Sequence, residues 1–435
     1  MSPARVSVKL FLLCLLLGIA APLGAQTGGG AWVGTVFTPA LDSVTQTGGS
    51  AFLPVFRTEA SYDSNVLSSQ TAQLSTYFLL MEGEGKYSYR GEGDTVELIA
   101  TGGERVYPMY THLDSYVADG RFQWQHNFSK RSYYAVTARW ASLPEGTVEE
   151  GNPNQTLTQL GSSALSANFL EQRVETRLAT IYYTYSLSRR TSFVVGGNYN
   201  ETQLEGLQLI NTEENDAYGG LQYQVNHAQS FGLMYAHQWL YFSRGFAASQ
   251  IDDALGTYEY KLSANTNFSA FGGPARVSLA PGVETQSSPN GGTSTTTAAA
   301  ASISEGAVGG AVMNVGVGRN KLRAEYTRLV TGGSGFLATV QQQTGSLTLS
   351  RNVTRHVEIG VLGAYSDNIE IGVANTAFRT FYVEPSLRYS LSRHFRISIR
   401  GSAGQVSGLS QYGTLIRDQL TVQLEYKFPE LTLGR

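Results

Sequence analysis

Cysteine is nearly absent from this chain: there is one in 435 residues, Cys14, and it lies inside an apolar N-terminal stretch. A chain that loses that stretch has no disulfide, no thiol nucleophile and no thiolate metal ligand. Charge is short as well. Asp, Glu, Lys and Arg make up 15% of the residues, against about a quarter in a typical soluble domain. The shortage falls on both signs, 31 basic against 34 acidic residues, so no basic field exists to hold nucleic acid. Long hydrophobic runs are missing too. Beyond residue 25 no stretch approaches the roughly 18 consecutive apolar residues of a transmembrane helix, and mean hydropathy is only −0.15. The sequence also lacks a Gly-x-Ser-x-Gly elbow, a His-Glu-x-x-His zinc helix, a phosphate loop and a calcium-loop pattern. No cofactor, no metal and no enzymatic activity is therefore expected.

The N-terminus reads as a leader. Arg5 and Lys9 precede an apolar stretch from Leu10 to Leu23, and Leu23-Gly24-Ala25 offers small residues for cleavage before Gln26. Fourteen residues are too few to span a bilayer, which takes about 20. Residues 1–25 are expected to be a signal peptide, so the chain is exported. Removing them takes the basic total from 31 to 29 against 34 acidic residues, a net of −5.

What the chain does have is glycine, tyrosine and alternation, with 48 glycines and 25 tyrosines. From Ser115 to Phe128, Tyr116, Ala118, Gly120, Phe122, Trp124, His126 and Phe128 share one face, and Val117, Asp119, Arg121, Gln123, Gln125 and Asn127 the other. Gly256 to Phe268 reads as another alternating segment, with Tyr258, Tyr260, Leu262, Ala264 and Phe268 against Glu259, Lys261, Ser263, Asn265 and Asn267. Near the end, Leu420, Val422, Leu424, Tyr426 and Phe428 oppose Thr421, Gln423, Glu425 and Lys427. A period of two marks strands. At nine or more residues these are longer than the usual five or six and suit a tilted bilayer crossing of about 9–11.

An apolar residue followed by a short polar turn recurs at Tyr89, Phe128, Leu187, Val225, Phe268, Val317, Leu349, Leu391 and Phe428. Four of these are near-copies: Phe128-Ser129-Lys130, Leu187-Ser188-Arg189, Leu349-Ser350-Arg351 and Leu391-Ser392-Arg393. Longer polar segments lie between them, at residues 64–70, 143–166, 203–215, 243–252, 286–305 and 404–413. Short turns alternating with long loops are the pattern of a transmembrane antiparallel up-and-down β-barrel, periplasmic at the short turns and external at the loops. Nine turns that each close a pair of strands predict an all-β barrel of about 18 strands, with 16 as the alternative count. The barrel should occupy residues 51–428. Residues 26–50 would form a periplasmic arm or small plug, and 429–435 a periplasmic tail. Tyrosines at strand ends (Tyr87, Tyr89, Tyr183, Tyr185, Tyr223, Tyr389, Tyr426), with Phe428, suit an interfacial aromatic girdle.

Alternation also forces charges inward, since an Arg or Lys at mid-bilayer costs about 2–4 kcal/mol. Expected lumen-lining residues are Arg121, Arg139, Glu259, Lys261, Glu384, Arg388, Arg396, Arg400, Glu425 and Lys427. They either select a polar or anionic solute or pair with one another and keep the lumen wet. Arg388, Arg396 and Arg400 fall on neighbouring strands and suit an anion-attracting patch. Of six histidines, only His112, in Thr111-His112-Leu113-Asp114-Ser115, sits beside both an acid and a hydroxyl, and sequence adjacency does not build a catalytic pair.

The opening strand and its loop, Arg57-Thr58-Glu59-Ala60-Ser61-Tyr62-Asp63-Ser64-Asn65-Val66, followed by Tyr-rich strands with Leu-Ser-Arg turns, resembles the β-barrel porin family of diderm bacteria whose members often accompany exopolysaccharide gene clusters. That resemblance implies an outer-membrane channel, with an exopolysaccharide or another polar solute as cargo and no catalytic residues. One departure is that Phe428, where a barrel usually ends, is followed by seven more residues. Expected partners are outer-membrane lipid, the barrel assembly machinery and the passing polysaccharide or small solute. The alternatives are a structural or adhesive surface barrel acting through its loops, and a barrel enzyme.

Overall fold

The structure, a computed structural model, describes residues 49–66, 73–143, 173–204, 210–243, 246–263, 265–286, 295–299, 301–333, 337–371, 377–409 and 413–433. The expected leader and most of the expected arm, residues 1–48, lie outside these, as do residues 144–172 and 287–294 at the expected loops. Among the described residues no helix is long and apolar enough to cross a membrane, and the chain crosses with strands.

The first eleven strands are β1 (Gly49–Asp63), β2 (Thr76–Arg90), β3 (Asp94–Val106), β4 (Ser115–Ser129), β5 (Ser132–Leu143), β6 (Val174–Ser186), β7 (Thr191–Leu204), β8 (Thr212–Gln224), β9 (Gln229–Phe242), β10 (Ser249–Ser263) and β11 (Thr266–Leu279). A short hairpin, β12 (Gly282–Gln286) and β13 (Thr295–Ala299), pairs only with itself. The wall resumes with β14 (Ser302–Val317), β15 (Asn320–Gly333), β16 (Leu337–Asn352), β17 (Val357–Glu370), β18 (Ala377–Ser390), β19 (Phe395–Leu409) and β20 (Gly413–Lys427). Each of these strands pairs antiparallel with the next, and β20 pairs back onto β1 from Val55↔Lys427 to Asp63↔Gln419. The result is a closed 18-strand antiparallel barrel. Closure leaves no open sheet edge in lipid, where an unpaired backbone group has no water to bond.

Several boundaries depart from the sequence expectation. Gly256 to Phe268 is not one strand. β10 ends at Ser263 and β11 begins at Thr266, so the turn precedes Phe268 instead of following it, and Tyr260↔Phe268 is a cross-strand pair. Alternation ran on through the turn because two residues of loop preserve a period of two. Leu349-Ser350-Arg351 lies within β16, which runs to Asn352. There the turn spans residues 353–356, with the Val353 N–H donating to the Val357 carbonyl. The wall begins at Gly49, and the segment after Phe428 forms β21 (Leu431–Thr432), which pairs with Phe52 and Ala51 of β1. The Phe428 N–H donates to the Pro54 carbonyl and the Leu433 N–H to that of Ser50, so residues past Phe428 prolong the seam.

The outward face carries Phe56, Leu79, Met81, Leu98, Ile181, Leu221, Leu233, Ile359, Leu387 and Leu424, all exposed. In water this belt would far exceed the few hundred Å² of apolar patch that monomers tolerate, whereas in lipid it costs nothing. Tyr89, Tyr185, Tyr223, Tyr389, Tyr426 and Phe428 stand exposed at the short-turn end, as a lower girdle requires. The barrel thus has the exterior of a membrane-spanning protein.

At the loop end the sheet overlaps itself. Pairing between β14 and β15 stops at Gly309↔Arg328, although β14 extends to Ser302 and β15 to Gly333. β15 stays paired with β16 up to Gly333↔Leu337. The outer halves of β15 and β16 therefore leave β14 and tuck inside, onto the inner face of β8–β10. Ser249 Oγ lies 2.6 Å from Thr339 Oγ1, and a Cβ built on Gly332 would lie 2.7 Å from Thr212 Cγ2. Register puts Val330 and Gly332 on the same side as Tyr326, whose ring is 48% exposed, yet Val330 is only 8% exposed. The face that meets lipid lower down is covered by protein above.

Candidate channel lining

Alternation along each strand puts Arg121, Arg139, Glu259, Lys261, Glu384, Arg388, Arg396, Arg400, Glu425 and Lys427 on the face opposite the exposed apolar residues. Arg121↔Arg139 is a cross-strand pair, and so is Arg396↔Glu425. The structure joins most of them to opposite charges. Asp119 receives Arg121 Nη2 at 2.6 Å and Arg139 Nε at 3.0 Å. Glu425 is shared by Arg57 at 3.2 Å, Arg396 at 3.4 Å and Lys427 at 3.5 Å. Arg388 pairs with Glu358 at 3.4 Å, Arg400 with Glu59 at 3.3 Å, and Lys261 with Glu259 at 3.1 Å. Glu384 accepts the Tyr382 hydroxyl at 2.5 Å. Arg388, Arg396 and Arg400 do occupy neighbouring strands, but each leans on its own carboxylate.

Several members of this network were absent from the expectation. Arg57 bridges Glu84 and Glu425 across the seam, Lys86 bonds Glu97 at 2.9 Å, and the fully buried Asp63 holds Arg417 with the Gln419 amide at 2.9 Å. The missed signal was register: every second residue of β1 and β2 from Val55 to Lys86 shares the inward face with Glu425, yet only the later strands were assigned to it. Apart from Glu259 and Lys261 on β10, these groups form a charged arc running from β17 through the seam to β5.

Depth separates two kinds of inward charge. Toward the short turns the side chains are wet: Lys261 is 56% exposed, Arg396 42% and Lys427 39%. A polar recess there is lined by Gln222, Gln224, Ser230, Glu259 and Lys261. Toward the loops they are dry, with Arg400 at 9% and Arg417 at 5%.

The opposite wall differs in kind. The inner faces of β6–β11 present Tyr182, Val194, Tyr218, Met234, Ala236, Leu240, Ile251, Leu255, Ala275 and Val277, packed with Val308, Leu329 and Val330. An inward Leu or Ile beside open water would stay wet, but Leu240 and Ile251 are fully buried, because the tucked β15–β16 segment covers this wall.

His112 sits exposed in a short 3₁₀ turn, Thr111–Leu113, with its ring edge-on to Tyr110 at 6.2 Å. His126 bonds Asp94 at 2.8 Å and His237 bonds Asp252 at 2.7 Å. Both pairs lie on the outward face near strand ends, where polar headgroups begin.

Known proteins resemble this barrel in shape. OccAB4 of Acinetobacter baumannii aligns at 10% identity over 89% of this chain and 100% of its own, with a TM-score of 0.45. OccAB3 of the same organism aligns at 9% identity over 88% and 99%, with a TM-score of 0.46. The outer-membrane protein OpdK of Pseudomonas aeruginosa aligns at 8% identity over 88% and 99%, with a TM-score of 0.44. No family profile and no curated protein sequence matches this chain.

Proposed function

We propose that this protein is a porin-like channel that passes small polar solutes across the outer membrane. The observation that carries this reading is the wet inward charge of the periplasmic half, where Arg396 and Lys427 of the charged arc and Lys261 on β10 remain solvated inside a closed barrel with an apolar exterior. Eighteen strands enclose a bore wide enough for water unless protein fills it. Mixed charge that is mostly paired gives a hydrated wall with weak net preference, suited to solutes that exchange hydration for brief polar contacts. We carry small solutes forward rather than exopolysaccharide, because a polymer needs a wide continuous bore and the tucked β15–β16 segment takes up lumen space along β8–β10. The assembly machinery that reads an aromatic near the C-terminal strand would meet Phe428 with its tail already paired to β1.

The test is planar-bilayer conductance of the refolded chain, together with liposome swelling in sugars and small organic anions of graded size. Discrete openings and swelling that falls with solute size are expected. Correct insertion, seen as heat-modifiable gel mobility, with neither conductance nor swelling would overturn the proposal and favour a surface role for the loops.

A further inference from the structure

We propose that the outer halves of β15 and β16 form a gate with two docking places: the inner face of β8–β10, where the structure shows them, and the free edge of β14. This inference rests on the channel reading above. In the packed place Ser249 Oγ lies against Thr339 Oγ1 and Gly332 against Thr212. The vacant place is equally concrete. β14 from Ser302 to Val308 is paired on its β11 side, Leu279↔Ser302 to Gly273↔Val308, but among the described residues not on its β15 side. Continuing the existing register past Gly309↔Arg328 would bring Val308 to Leu329, Ala307 to Val330 and Gly306 to Thr331. That would return Leu329 to an inward position beside Val308 and Val330 to the outer face, as alternation expects.

Each state holds something the other lacks, which is what a bistable element requires. Packed, the segment buries Leu329 and Val330 in the apolar arc but leaves the β14 edge without ladder bonds. It also leaves polar atoms stranded. Gln238 is fully buried with neither side-chain oxygen nor nitrogen bonded, and one carboxylate oxygen each of Glu214, Asp216 and Asp253 has no partner. Among the described residues none of these three acids has an ion-pair partner. Zipped onto β14, the segment would complete the ladder and return Gln238 and the acids to water, lining the opened mouth with negative charge. Backbones approach closely on β14 where the strands part. A Cβ on Gly310 would lie 2.7 Å from both Phe271 Cε1 and the Tyr326 carbonyl, and on Gly309 2.9 Å from the Phe271 carbonyl, so only glycine lets the sheets close up here.

Two engineered disulfides in a chain lacking Cys14 test the gate. Ser249→Cys with Thr339→Cys should cross-link, cut conductance several-fold when oxidised and recover with reductant. Ala307→Cys with Val330→Cys should also cross-link, although the structure does not pair them, and should hold the high-conductance state and shift selectivity toward cations. If the first pair does not fold, Thr212→Cys with Gly332→Cys replaces it. Unchanged conductance in the locked packed state, or failure of the Ala307–Val330 bond to form where the first pair bonds, overturns the gate. Cross-linking is read on gels, independently of current. A barrel that inserts but never conducts therefore counts against the channel reading, while the gel still decides whether the segment moves.

Discussion

The charged arc from β17 to β5 and the arc on β6–β11 obey the same alternation, yet one is built of paired ions and the other of packed Leu, Ile, Val and Met with buried Gln238, Glu214, Asp216 and Asp253 among them. In a barrel, facing inward does not mean facing water. Where the lumen is open, inward positions need groups that water or counter-charges can satisfy. Where a second layer of protein lies against the wall, they need shape and apolar surface. The difference between the arcs is a footprint of the tucked β15–β16 segment, and it is visible residue by residue.

The comparison breaks most sharply when a charge is moved from one arc to the other. Leu255→Asp deletes a buried side chain and leaves a carboxylate between two layers of protein, a combined cost of about 4 kcal/mol or more. The same chemistry at Thr137, half-buried in the charged arc beside Arg139 and near Arg121, should cost about 1 kcal/mol or less. Urea unfolding in lipid, followed by heat-modifiable gel mobility, measures both. Equal costs would mean that the arcs are not different environments.

A smaller effect is expected within the charged arc. Asp63→Asn keeps the shape but leaves Arg417, only 5% exposed, facing a neutral group across the β1–β20 seam. Removing one partner of a buried pair costs about 3 kcal/mol, read as a lower urea midpoint with the denaturant slope unchanged. A midpoint shift no larger than that of a surface pair would show that the seam is wetter than its burial implies.

The smallest effect sharpens the division by depth. Arg396 is wet and shares Glu425 with Arg57 and Lys427, so Arg396→Glu should move the reversal potential toward cation selectivity with little change in stability. Arg400 is dry and held by Glu59, so Arg400→Glu should lower stability before it alters selectivity. Reversal potentials in a salt gradient, alongside unfolding midpoints, separate the two. The opposite ranking would put the solute path at Arg400.

Much of this molecule was legible because a membrane barrel repeats one rule. Alternation at Tyr116–Phe128 and Leu420–Phe428 marks both strands and their two faces. The near-copied turns gave a strand count that matches, even though two were misplaced by a few residues at Phe268 and Leu349. Pairing partners were less legible. Arg388, Arg396 and Arg400 looked like an anion-attracting patch until register set Glu358, Glu425 and Glu59 against them.

An all-β barrel with an apolar exterior and a polar inner face follows from local patterning, because a period of two acts within each strand and every strand carries its own copy of it. That the sheet parts at Gly309↔Arg328 and that β15–β16 covers the wall of β8–β10 depend on contacts between distant strands. Nothing in the alternation of Val330 or Thr339 marks them as tucked inside. The same residues would serve as lipid-facing or external wall, and the choice depends on which distant surface they meet.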